Sequence, residues 1–240
     1  MNSELAAVKA IVFDTFGTLV DWRGSIVRDL SAWAVSQRLP QADWARLADL
    51  WRGRYQPQME RVRSGARPWT KLDDLHDESL RALLPSLGLP ALSDAQHRHV
   101  NRVWHRLDAW PDAVPGLTRL KRRTLIGPLS NGNIALLVNL AKHAGLPWDC
   151  IFSAEHFQRY KPQPETYLGV CRQLDLRADQ VMMCAAHNSD LRAARAAGLR
   201  TGFFARPTEY GPGQTTDLAA DEEWDVIATD VEQLAGRMGC

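Results

Sequence analysis

The chain is punctuated by short, uninterrupted apolar runs that stop on small or polar residues. Val8 to Phe13 is the first, and it ends at Asp14 and Gly17. A run of this length followed by turn chemistry reads as a buried strand. Further strands are expected at Thr124–Leu129, which ends in Ser130-Asn131-Gly132, and at Cys150–Phe152, Val181–Cys184, Arg200–Ala205 and Val226–Ala228. Between them the pattern turns helical. Asn133–Ala144 is closed by Gly145, Glu165–Gln173 ends on Leu174, and Ser189–Ala197 is stopped by Gly198. Strands alternating with helices predict βαβ units and a parallel sheet, an α/β fold. The segment from Pro207 to Glu223 is polar and rich in Gly and Pro, and reads as a surface loop.

Asp21 to Leu107 has a different texture. It is mostly helical in pattern, punctuated at Pro40, Pro57, Gly65, Pro68, Pro85 and Gly88 to Pro90, with few strand-like stretches. The chain has nine tryptophans, and Trp22, Trp33, Trp44, Trp51, Trp69, Trp104 and Trp110 fall in or next to this stretch. It reads as a helical insertion at 21–111 between the first strand and the rest, so that residues 1–20 and 112–240 form one unit. Trp22, Trp33 and Trp44 recur every 11 residues, a spacing that keeps to one helix face. Pro40 interrupts, so they are not expected to share one helix.

Composition narrows the function classes. The chain of 240 residues is 45% hydrophobic and 24% charged, which fits a globular protein rather than a disordered one. A formal net charge of +1 gives no electrostatic case for nucleic acid or an anionic membrane. No apolar run approaches a bilayer span, and Met1 to Lys9 lacks the basic-then-apolar order of a secretory signal, so a cytoplasmic location is expected. Cys150, Cys171, Cys184 and Cys240 show neither a disulfide framework nor zinc-ligand spacing.

In an open α/β sheet, ligands sit beyond the carboxyl ends of the strands. Asp14, Thr18, Ser130, Asn131, Lys161, His187 and Asp190 are the polar residues at such positions. Each alone has an ordinary reading: an aspartate after a strand is often a helix cap or turn former, and Ser-Asn-Gly is a common turn. Their order resembles the haloacid dehalogenase superfamily. The resemblance rests on Phe13-Asp14-Thr15-Phe16-Gly17-Thr18-Leu19, on Leu129-Ser130-Asn131-Gly132, on Tyr160-Lys161-Pro162, and on Cys184 to Asp190 followed by Leu191-Arg192-Ala193-Ala194. It implies a Rossmann-like core, an inserted α-helical cap and an aspartate nucleophile at Asp14.

The same resemblance isolates a departure. The magnesium-dependent phosphatases of this superfamily carry a second aspartate where Phe16 stands, and another acid where Ala186 stands. A phenyl ring exchanges no proton, and a methyl group ligates no ion, so weak or absent magnesium binding is expected and no metal or cofactor is assigned. The chain resembles the L-2-haloacid dehalogenase subfamily, which has an aromatic residue at the Phe16 position and a Leu-Trp-Arg run matching Leu50-Trp51-Arg52. That resemblance implies hydrolysis of short 2-haloalkanoic acids through an aspartyl ester, with inversion at C2. Arg52 and Asn131 would hold the departing halide, and Ser130 the substrate carboxylate. Lys161 would keep Asp14 ionised, Thr18 would orient it, and Phe16, Tyr167 and Trp51 or Trp22 would line the site. The partners expected are a haloacid, a halide ion and, as in resembling enzymes, a second copy of the chain.

Ala185-Ala186-His187 departs from the Ser-Ser-Asn of the dehalogenase pattern. His187 therefore replaces an amide; Asp190 is the favoured base for water activation by position, and His187, alone or as a base dyad with Asp190, is the alternative. The remaining histidines, His76, His97, His99, His105, His143 and His156, read as surface residues. A magnesium-dependent phosphatase and a non-catalytic binding protein of the same fold are the alternative readings of the sequence.

Overall fold

A computed structural model describes residues 3–240; Met1 and Asn2, where the expected first segment begins, lie outside the described residues. In chain order the strands are β1 (Ala10–Phe13), β2 (Val20–Asp21), β3 (Asp108–Ala109), β4 (Leu125–Ser130), β5 (Phe152–Ser153), β6 (Val181–Ala185), β7 (Arg200–Phe204) and β8 (Val226–Ala228). Six of them form one sheet in the order β5-β4-β1-β6-β7-β8, with parallel pairing throughout. Every residue of β1 and β6 is buried, as expected of strands covered by helices on both faces. β2 and β3 pair antiparallel as a separate two-stranded ribbon where the chain leaves and re-enters the sheet region.

The helices are α1 (Ser3–Ala6), α2 (Trp22–Ser36), α3 (Trp44–Arg63), α4 (Leu72–Leu83), α5 (Asp94–Asn101), α6 (Ala113–Leu120), α7 (Ile134–Ala144), α8 (Ala154–Phe157), α9 (Pro164–Leu174), α10 (Asn188–Ala196) and α11 (Val231–Arg237). Those from α2 to α5 all fall between β2 and β3. Their boundaries follow from local chemistry. Asp21 and Asp43 accept from the amides of Gly24 (2.8 Å) and Arg46 (2.9 Å), which starts α2 and α3. Ser93 and Gln96 form a reciprocal capping box on α5. Gly145, with φ at +69°, closes α7 in the left-handed region that a side chain disfavours.

The tryptophan periodicity resolves as expected. Trp22 and Trp33 lie on α2, while Trp44 opens α3. Trp22, Trp51 and Trp104 are fully buried, and Trp104 packs on Trp22, Trp51 and His76. Three histidines depart from the surface expectation: His76, His97 and His105 are buried. Their α4, α5 and adjoining turn positions face inward because amphipathic helices place every third or fourth residue on one side. The expected strand at Cys150–Phe152 begins two residues later, at Phe152. Among the described residues, no helix is long and apolar enough to cross a membrane.

Candidate active site

The site lies at the carboxyl edge of the sheet, beside β1, the strand flanked by β4 and β6. Asp14 follows β1 directly, and its backbone amide donates to the Cys184 carbonyl at 3.0 Å. Both oxygens of its buried carboxylate are engaged. Oδ1 accepts from the Lys161 ammonium at 2.8 Å, and Oδ2 accepts from the Thr18 hydroxyl at 2.8 Å. His187 Nδ1 lies 3.0 Å from the same Oδ2. Thr18 is oriented in turn, because the Ala186 amide donates into its oxygen at 3.1 Å.

Lys161 is placed by the turn ahead of α9. Its backbone amide donates to Asn131 Oδ1 at 2.8 Å, and its carbonyl accepts from Arg63 of α3 at 2.9 Å. Its ammonium also donates to Asp190 Oδ2, while the Tyr167 hydroxyl donates to Asp190 Oδ1 at 2.6 Å. Lys161 therefore stands between the two acids that the sequence singled out. Burial works against the charge on Asp14, but the Lys161 cation and the His187 contact outweigh it and hold the carboxyl far below its ordinary range. The same balance runs the other way for Lys161. Burial opposes its charge, yet Asp14 and Asp190 keep the ammonium protonated well above its usual range.

His187 does not form the alternative dyad with Asp190. Its Nε2 lies 2.9 Å from Oε2 of Glu209, while Asp190 is occupied with Lys161 and Tyr167. The physical reason is direction: α10 starts just after His187, with Asn188, and Asp190 lies on it toward Lys161 whereas the imidazole spans from Asp14 to Glu209. Burial would push the imidazole down, but the Glu209 charge and the contacts to both acids carry its pKa well above the ordinary value.

Glu209 was missed by sequence reasoning. It belongs to the Pro207–Glu223 stretch read as a surface loop, yet it is 1% exposed. Arg206 explains how the loop is drawn in. Its guanidinium donates to both oxygens of Asp112 at 2.8 Å and to the Thr18 carbonyl at 2.9 Å. No local signal in the sequence marks Glu209; a histidine standing in place of an amide asks for an acidic partner without saying which.

Arg52 reaches the site from α3. Its guanidinium lies 4.4 Å over the Tyr55 ring and 5.5 Å from the centroid of Trp22, and Nη2 is 3.6 Å from Glu209. Its Nη1 is buried with no hydrogen-bond partner among the described residues. A cavity of about 760 Å³ opens here, bounded by Asp14, Phe16, Arg52, Tyr55, Asn131, Lys161, Tyr167, His187 and Asp190, among others. Phe16, Asn131 and Tyr167 stand at its wall. Trp22, Trp51 and Ser130, named with them from the sequence, do not. Trp51 is fully buried behind it, donating to the His76 carbonyl at 3.1 Å. Ser130 is buried at the end of β4, where its hydroxyl accepts from the Gly132 amide at 3.2 Å. Among the described residues, no group of three or more His, Cys, Asp or Glu side chains is arranged to hold a metal ion.

A parallel α/β sheet carrying a buried, charge-paired aspartate after its central strand, with helices from one long insertion completing the cavity, defines an α/β enzyme built around a carboxylate. The family model of the haloacid dehalogenase-like hydrolases matches residues 8–198, and the chain belongs to that family and is a hydrolase. It is similar to a crystal structure of an L-2-haloacid dehalogenase, at 49% identity and a TM-score of 0.94 over 97% of this chain and 99% of that one. It is also similar to a defluorinating L-2-haloacid dehalogenase, at 46% identity and a TM-score of 0.93 over 97% and 96%. The (S)-2-haloacid dehalogenase 1 of Pseudomonas sp. (strain CBS-3) is 30% identical over 212 residues, 85% of this chain and 88% of that protein.

Proposed function

We propose that the chain hydrolyses short 2-haloalkanoic acids to 2-hydroxy acids through an ester on Asp14, without a divalent ion and with inversion at C2. The observation that carries this reading is the Asp14 carboxylate, held ionised by Lys161 and His187 and turned into a cavity that Arg52 shares. The similarity to solved L-2-haloacid dehalogenases supports the substrate class.

Asp14 displaces halide from C2 in line, forming one carbon–oxygen bond as the carbon–halogen bond breaks, which is covalent catalysis by a carboxylate. Arg52 has an N–H without a partner among the described residues, which takes the departing anion, and its guanidinium lies over the Tyr55 ring, largely out of water, where that contact is strong. Water then attacks Cγ of Asp14, so the oxygen that leaves with the product is one that began on the enzyme. Lys161 supports the metal-free reading. Its ammonium sits between Asp14 and Asp190, while Phe16 and Ala186 supply no side-chain oxygen ligand. In this proposal the 21–111 segment acts as the cap and brings Arg52. Four free cysteines accord with a reducing cytoplasm. A homodimer rests on the resemblance, and sedimentation velocity decides it.

The decisive experiment is one turnover of chloroacetate in heavy-oxygen water with enzyme in excess. Label is expected in the Asp14 carboxylate and not in the glycolate; label in the first-turnover product alone overturns the ester. Activity retained in EDTA separates this reading from a magnesium-dependent phosphatase.

A further inference from the structure

We infer that Glu209 is a positioning residue for the second half of the reaction: it holds His187 with Nε2–H toward itself and Nδ1 toward Asp14, so that His187 takes the proton of the water that cleaves the ester. This rests on the reading given under Proposed function and extends it to a residue outside the family motifs.

Asp14 Oδ2, the His187 ring and Glu209 Oε2 form a line with contacts of 3.0 and 2.9 Å. The other Glu209 oxygen accepts from the Trp22 indole at 3.0 Å and lies 3.6 Å from Arg52, so the carboxylate cannot swing freely. Gly17 leaves room for it. A Cβ at Gly17 would fall 2.0 Å from Glu209 Oε1, and the residue's φ of +85° is one that side chains rarely adopt. A buried acid with four specific neighbours, over a glycine that permits its approach, is a built contact.

Charge then gives the sequence of events. In the resting site the imidazole lies between two acids and carries both protons. Ester formation removes the charge on Asp14, leaving Glu209 as the one acid touching His187. The Nδ1 proton departs to solvent, which is the single proton that hydrolysis of a carbon–halogen bond must release. Nε2–H stays on Glu209. Water adds to Cγ of Asp14 as its proton passes to Nδ1. The tetrahedral species collapses with cleavage of the bond from Cγ to the ester oxygen, and the alkoxide takes a proton from His187. The proton left on the Asp14 carboxyl returns to the imidazole, restoring the resting site. The other charges around His187 are Arg52 from α3 behind Glu209, Lys161 on the far oxygen of Asp14, and Asp190 on α10. Asp217 accepts from the neighbouring Asn188 amide at 2.9 Å.

The test separates the two chemical steps in Glu209→Gln, which keeps an acceptor for Nε2–H and removes the charge. First-turnover chloride release is expected to persist, while ester hydrolysis slows by about tenfold or more. The ester should then accumulate as a mass adduct on the peptide bearing Asp14. The rise of hydrolysis with pH should move to lower pH by at least about one unit, because a neighbouring anion no longer favours the imidazolium. Packing alone would not move that limb. Glu209→Asp keeps the charge and should leave the limb in place with slower hydrolysis, and it carries the test if the Gln variant does not fold. Wild-type hydrolysis and an unmoved limb in Glu209→Gln, or an unslowed Glu209→Asp in its stead, overturn the inference alone. Failure of the wild-type chain to release halide overturns the reading under Proposed function as well.

Discussion

Thr18 has a single hydroxyl proton, and the Ala186 amide decides where it goes. Because that amide donates into the Thr18 oxygen, the proton is directed to Asp14 Oδ2. Removing a hydrogen bond to a charged group costs roughly 1.5–3 kcal/mol, which corresponds to about ten- to a hundredfold in rate if it acts in the transition state. Thr18→Val is therefore expected to lower kcat/KM for chloroacetate by that factor, and Thr18→Ser to restore most of it; steady-state halide release measures both. Asp14 itself makes a pH prediction. Its pKa is held far below the unfolded value, so its ionised, paired state and the stability that state brings are present above the unfolded pKa and lost as pH falls through the folded one. Activity losses between pH 6 and 4 should consequently not trace to Asp14, and alkylation by excess chloroacetate, followed by mass spectrometry, should persist to pH 4.

At the scale of elements, the site depends on a clasp that joins three separate stretches. Arg206 follows β7, Asp112 precedes α6, and Thr18 lies between β1 and β2, yet the Arg206 guanidinium binds both of the others. Breaking a largely buried pair of this kind costs about 3–5 kcal/mol. Arg206→Ala should lower the urea midpoint accordingly and also weaken activity, because Glu209 sits three residues on. A variant that loses activity at unchanged stability would contradict the clasp. The same elements show what a sequence makes legible. Val8–Phe13, Val181–Cys184 and the Gly145 stop were readable because burial on both faces and a left-handed cap each leave a local signature. Arg52 and Lys161 were found through a motif resemblance. Glu209 left no signature, since Pro207 and Thr208 before it are exposed and Tyr210 after it is also exposed, so no periodicity marks the one residue that turns inward. The ribbon of β2 with β3 was equally silent, because two-residue strands carry no alternation to read.

Across the whole molecule, the helical insertion is fastened to the rest of the chain by several separate contacts. Arg63 donates to the Lys161 carbonyl, Tyr160 to the Thr70 carbonyl at 2.7 Å, and Asn133 to Asp73 at 3.0 Å. At the centre of the insertion lies His76, stacked on Trp104 at 4.4 Å between ring centroids, with neither ring nitrogen hydrogen-bonded among the described residues. Burial lowers its pKa to about 3, so the folded state holds it neutral. The unfolded chain binds a proton there below about pH 6.5, hence this histidine contributes stability that is lost as pH falls from that value toward 3. His187 has the opposite sign. Its raised pKa gives stability present below the unfolded value and lost as pH rises through the folded one, so His187 changes stability above the unfolded value and His76 below it. The difference between wild type and His76→Phe removes the His187 contribution and isolates His76. Urea midpoints measured from pH 7 to 4 should fall less steeply for His76→Phe than for wild type, with the gap widening toward acid. A gap that stays constant with pH would mean that His76 takes up a proton in the fold as readily as in the unfolded chain, and that the packing at the centre of the insertion differs from the one described.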